Sequence, residues 1–158
     1  MTLPSGENPL PKRSHPAHGV KPRAGQPVIV YLTVCTKRRV PWLATPEAHR
    51  LLIQTWKNAT AWLVGRYVVM PDHLHLFAAP GTPELPFDNW VRFWKSRFTK
   101  AHGDALHEWQ VDHWDRRLRN EDSYDEKWNY VRNNPVRHKL VSRAEDWPFQ
   151  GELSPLPW

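Results

Sequence analysis

The stretch VVMPDHLHLFAAP, Val68–Pro80, decides the fold. Side chains alternate faces along a strand, so HLHLF reads as a strand with His73 and His75 on one side and Leu74 and Leu76 on the other. The run WLVGRYVVM before it is rich in β-branched residues, and the link through Pro71 and Asp72 is short enough for an antiparallel hairpin. Two imidazoles then stand side by side on a sheet. Such a pair suits a divalent cation, because a neutral ring nitrogen is a common metal ligand.

Upstream, PVIVYLTVCTKRR from Pro27 alternates Val28, Val30, Leu32 and Val34 with Ile29, Tyr31, Thr33 and Cys35, which predicts another strand. Thr45, Pro46 and Glu47 form an N-cap, N1 and N2 sequence, and Leu51, Leu52 and Trp56 supply the apolar stripe of a helix running to about Asn58. Downstream, a helix from about Pro86 to Ala101 gathers Phe87, Trp90, Val91, Trp94 and Phe98 on one arc and leaves Arg92, Lys95 and Lys100 outside it. A further strand is expected near Trp109 to Trp114.

Strand, helix, strand, strand, helix and strand in that order predict an α+β fold, a ferredoxin-like antiparallel sheet with helices packed on one face. There is no internal repeat and no shift of composition after residue 27. Residues 27–158 therefore read as a single domain, preceded by a basic arm over residues 1–26. That arm carries Pro4, Pro9, Pro11, Pro16 and Pro22 among lysines and arginines, with almost no large apolar residue, and is expected to be disordered.

Composition narrows the function. Lysine and arginine number 22 against 16 acidic residues, a net charge of +6, which favours polyanionic partners and nucleic acid first. The single cysteine, Cys35, excludes an intrachain disulfide and a four-cysteine zinc site. No apolar run approaches the roughly 18 residues of a membrane span, and the N-terminal segment lacks the apolar core of a secretion signal, so the chain reads as cytoplasmic with no membrane role. Ten tryptophans exceed what a small core needs; most are expected to anchor packing, and a minority can stack on unpaired bases.

SYDE, Ser123–Glu126, is a capping box that starts a helix at Tyr124, and Pro135 is expected to end it near Asn134. Tyr124, Trp128 and Val131 share the apolar face of this helix. Tyr130 instead shares a polar face with Lys127 and Asn134. A phenol with a lysine beside it can act as a nucleophile toward a phosphate if a cation helps it lose its proton; a half-exposed tyrosine without chemistry fits the same geometry.

MPDHLHLF followed by YVRNNPVRHKLV (Tyr130–Val141) resembles the single-tyrosine HUH transposases, named for a His-hydrophobe-His motif, and especially their REP-associated tyrosine transposase branch. The likeness covers roughly Val28 to Gly151. It implies an HUH endonuclease fold, His73 and His75 as ligands of a Mg²⁺ or Mn²⁺ ion, Tyr130 as the nucleophile, and a third ligand one turn after the tyrosine, here Asn134. It also implies single-stranded or hairpin DNA as partner, cut on one strand through a covalent 5′-phosphotyrosine. Lys95, Arg97, Lys100, Arg116, Arg117 and Lys127 are the candidate phosphate contacts, although separate solvated faces would explain them as well. A homodimer and a monomer are both compatible with this reading.

Three other readings compete. A histidine-triad nucleotide hydrolase needs a third histidine where this chain has Phe77, and a zinc metalloprotease needs H-E-x-x-H, which is absent. The remaining alternative is a domesticated protein that binds DNA hairpins without cutting them. Against it stands the survival together of His73, His75, Tyr130 and Asn134.

Overall fold

The structure, a computed structural model, describes residues 28–119 and 122–157; the arm expected over residues 1–26 lies outside them. Five strands form one sheet: β1 (Val30–Cys35), β2 (Trp62–Val69), β3 (His73–Pro80), β4 (Trp114–Arg117) and β5 (Gln150–Glu152), in the order β4-β1-β3-β2-β5 with every pairing antiparallel. Its first four strands have the order of the ferredoxin-like plait that the element sequence predicts. Both histidines fall on the central strand, where Cys35 faces His73 and Thr33 faces His75 across the β1 ladder.

The helices are α1 (Pro46–Asn58), α2 (Phe87–His102), α3 (Tyr124–Arg132) and the single turn α4 (Asn134–Arg137). Thr45 caps α1 as its sequence predicts, its Oγ1 accepting from the Ala48 N–H at 3.1 Å. Ser123 does the same for α3, accepting from the Glu126 N–H at 3.2 Å.

Strand alternation sorts the apolar residues into two cores. Leu32, Val34, Leu74 and Leu76 pack on one face against Trp56 of α1 and Trp90, Trp94 and Phe98 of α2. On the other face Val68 and Phe77 pack against Tyr124 and Val131 of α3, with Trp147 from the C-terminal segment. The helices therefore cover both faces, correcting the expectation of one. The reason is α3: its own apolar stripe is satisfied on the histidine face, which α1 and α2 leave open.

Two boundaries also differ from expectation, and the sheet has one strand more. The fourth strand begins at Trp114, and Trp109 makes only an isolated bridge to Thr36. Asn133, with φ −86° and ψ 1°, separates α3 from α4, so the chain turns again past Pro135 instead of stopping there. Strand β5 pairs Gly151 with Tyr67 and closes the sheet edge beside β2. No helix among the described residues is long and apolar enough to cross a membrane.

Candidate active site

His73 and His75 stand with ring centroids 4.9 Å apart at an interplanar angle of 79°. Two imidazoles sharing one cation at about 2.1 Å place their centroids roughly 4.5 to 5.2 Å apart, so the pair is spaced for a common ion. Each ring is also held from behind. Nδ1 of His73 lies 2.7 Å from Oδ1 of Asp72, and Nδ1 of His75 lies 2.8 Å from the Tyr31 hydroxyl and 2.9 Å from Thr33 Oγ1.

An Nδ1–H donating to those oxygens leaves each Nε2 bare, the state in which an imidazole ligates a metal. Burial, followed by the charge of His73, holds the His75 imidazole well below its ordinary value, which keeps it neutral and ligand-ready. Burial raises the Asp72 carboxyl, but the His73 hydrogen bond and Arg39 outweigh it and hold the group at about 2. The donor set, two imidazole nitrogens backed by oxygens, fits a divalent cation.

Tyr130 sits across from this pair. A cleft of about 410 Å³ is lined by Tyr31, Thr33 and His75 on the sheet, Trp114 and Arg116 on β4, and Lys127 and Tyr130 on α3. The Tyr130 ring is 67% exposed, with the Arg137 guanidinium 4.1 Å from its centroid. Tyr124 is its opposite: buried, with its oxygen accepting the Arg66 N–H at 3.0 Å and its phenol pushed up to about 12 by burial.

The third expected ligand lies beyond the end of α3. Asn134 opens α4, and its side-chain carbonyl accepts from the Arg137 guanidinium. The helix break at Asn133 means that Tyr130 and Asn134 do not lie on one continuous helix. One turn further on, the His138 ring lies 6.4 Å from that of His73. Sequence reasoning passed over His138, and it passed over Asp72 and Arg39 as well; the adjacency of Asp72 to His73 was the available signal.

The expected phosphate contacts divide between the two faces. Arg116 and Lys127 line the cleft. Arg97 and Lys100 border a depression between α1 and α2, on the far side of the sheet, and Arg117, one residue along the strand from Arg116, points away from the cleft. Lys95 is corrected outright: it is buried, and its ammonium donates to the carbonyls of Gln110 at 2.8 Å and Val111 at 3.3 Å. That ammonium closes the loop before β4 and is not available to a phosphate.

A second group of possible ligands lies on the α2 face. His113 Nε2 is 2.9 Å from Asp88 Oδ1 and 3.1 Å from Asp115 Oδ2, and the three donor atoms lie within 4.8 Å of one another. Asp115 borders the cleft but pairs with Leu32, whose side chain packs in the α2-face core, so its carboxylate is directed to the face opposite Tyr130.

Comparison with known proteins places the chain in a family. No protein-family model matches the chain. The REP-associated tyrosine transposase of Escherichia coli (strain K12) is 30% identical over 121 residues, covering 75% of this chain and 73% of that protein. A solved structure of a REP-associated tyrosine transposase bound to a REP hairpin superposes with a TM-score of 0.65 at 30% identity, covering 77% of this chain and 74% of that one. With an antiparallel sheet of the same architecture and that identity over most of both lengths, the chain belongs to the REP-associated tyrosine transposase family.

Proposed function

We propose that the protein is a metal-dependent single-strand DNA endonuclease and strand transferase acting on hairpin or REP-like DNA, with Tyr130 as nucleophile and His73 and His75 as metal ligands. The observation that carries this reading is the shared cleft, in which the exposed Tyr130 and the ligand-ready His75 face the same space between Arg116 and Lys127. The hairpin partner is inferred from the relative whose structure contains one.

In this reading the scissile phosphate enters the cleft with its charge met by Arg116 and Lys127. The Tyr130 oxygen, having given its proton to solvent, bonds to phosphorus. The bond from phosphorus to the 3′-oxygen breaks, and that oxygen takes up a proton to become a free 3′-hydroxyl. The 5′-phosphotyrosine keeps the free energy of the broken phosphodiester, so a 3′-hydroxyl can attack it and rejoin strands without an external energy source. His73 and His75 would hold a Mg²⁺ or Mn²⁺ ion, which when bound would supply Lewis acidity.

The test is incubation with labelled single-stranded and hairpin DNA from the gene's own flanks in the presence of Mn²⁺, resolved on denaturing gels. A covalent adduct abolished by Tyr130→Phe and retained by Tyr124→Phe is the expected result. Tight hairpin binding with no adduct would make the protein a DNA-binding relative without the chemistry.

A further inference from the structure

Between β1 and α1 the chain makes a 3-10 turn, Lys37–Arg39, in which Arg38 and Arg39 both adopt φ of 57°. Two successive non-glycine residues in the left-handed region are costly for side chains with a Cβ, and such conformations persist where surrounding structure enforces them. Thr36 does so here. Fully buried, it donates its N–H to the Asp72 carbonyl at 3.0 Å, and its single O–H is shared between the Val40 carbonyl at 2.9 Å and the Asp72 carbonyl at 3.1 Å. The turn is thus clamped to the residue that precedes His73.

What the clamp delivers is the Arg39 side chain. Its Nε donates to Asp72 Oδ2 at 3.1 Å, and one terminal nitrogen lies 3.3 Å from His73 Nδ1. That Nδ1 has a shorter contact, 2.7 Å, with Asp72, and when it gives its proton there it cannot accept one from arginine. The terminal N–H groups of Arg39 therefore stay available beside the histidine pair, on a side chain that is 53% exposed. Arg39 stands on the His73 flank of the pair, whereas Arg116 and Lys127 share the cleft with His75.

We infer that Arg39 contacts the backbone phosphate of single-stranded DNA at the His73–His75 pair, clamping from that flank the phosphate that Tyr130 attacks. A guanidinium fits this role because its fixed fork of donors matches two phosphate oxygens, while Asp72 orients it through Nε. The inference rests on the strand-cleaving reading for the identity of the phosphate, although a phosphate contact can be measured without cleavage.

The experiment places Arg39→Gly and Arg39→Lys in a Tyr130→Phe background, so that bound DNA stays intact, and follows single-stranded DNA binding by fluorescence anisotropy across a salt series with Mn²⁺ present. Glycine suits the left-handed backbone, so Arg39→Gly should fold at least as well as the parent. The log–log salt dependence is expected to flatten by about 0.7 in Arg39→Gly, one phosphate contact on a single strand, and to be largely kept in Arg39→Lys. Calorimetry with Mn²⁺ alone should show metal affinity unchanged within a few-fold. An unchanged salt slope overturns the inference. So does a loss of Mn²⁺ affinity with DNA binding intact, which would make Arg39 a positioning residue for His73. Should the protein with Tyr130 intact form no adduct while the slope still flattens, the cleavage reading falls and the phosphate contact stands.

Discussion

The Asp72 carboxylate touches two functional groups at once, with Oδ1 2.7 Å from His73 Nδ1 and Oδ2 3.1 Å from Arg39 Nε. A carboxylate behind a ligating imidazole fixes its tautomer and raises its basicity, and removing such a partner weakens metal binding by roughly tenfold to a hundredfold. Asp72→Asn should therefore lower Mn²⁺ affinity by that factor, measured with the metal alone. Calorimetric titration of the two proteins decides it, and equal Mn²⁺ affinities would refute the role.

Tyr124 and Tyr130 lie on one helix and should respond to mutation in opposite ways. Tyr124→Phe leaves the Arg66 N–H without its acceptor in a buried setting, a loss of about 1 to 2 kcal/mol in urea unfolding. Tyr130→Phe removes an exposed hydroxyl and should leave the unfolding curve within about 0.5 kcal/mol of wild type. A reversal of that order would show that the two side chains have been assigned to the wrong environments.

Lys95 gives the stability a dependence on alkaline pH. Burial brings its ammonium from 10.5 down to about 8, so in that window the folded state releases a proton that the unfolded state still holds. Stability from this group therefore rises with pH between about 8 and 10.5, by at most about 1.4 kcal/mol per pH unit. Lys95→Met lacks the gain, so the wild type should improve relative to the variant across that window, read by chemical denaturation at several pH values. DNA affinity at neutral pH should not change, since the ammonium is spent on Gln110 and Val111.

Gly65 is a steric requirement of the site. A Cβ there would lie 2.6 Å from the Leu156 side chain and 2.6 Å from the Tyr124 hydroxyl, at the irregularity in the β2–β3 register between Val64 and Tyr67. Gly65→Ala should destabilise by roughly 1 to 3 kcal/mol, as overpacking does. Because Tyr124 belongs to the helix of Tyr130, adduct formation should fall as well. A variant with wild-type stability and wild-type adduct yield would contradict this packing.

What the sequence made legible follows from local physics. The alternation in HLHLF placed both histidines on one face, and the Thr45-Pro46 pair located the start of α1, because a strand's period and a cap's geometry are set by neighbouring residues. The stripe of Tyr124, Trp128 and Val131 identified α3 as amphipathic, yet nothing in a stripe says which side of a sheet it covers. WDRR in β4 and QGE in β5 have no apolar alternation at all; the backbone ladder alone recruits them. Lys95 lies off the apolar arc of α2, and only the path of the loop after α2 brings the carbonyls of Gln110 and Val111 to its tip. His138 escaped notice because its nearness to His73 depends on the turn at Asn133.

Strands β4 and β5 are the two rims of the sheet, and α3 and α4 lie on the chain that runs from one rim to the other. The histidines need only the inner strands to come together, whereas the phenol arrives on a strap that must be fastened at both borders. During folding, a cation-ready pair can thus exist before any nucleophile faces it, and pulse-labelled amide exchange should protect β1 and β3 ahead of α3. On the proposed reading, a half-made molecule would carry the histidine pair without the tyrosine that faces it.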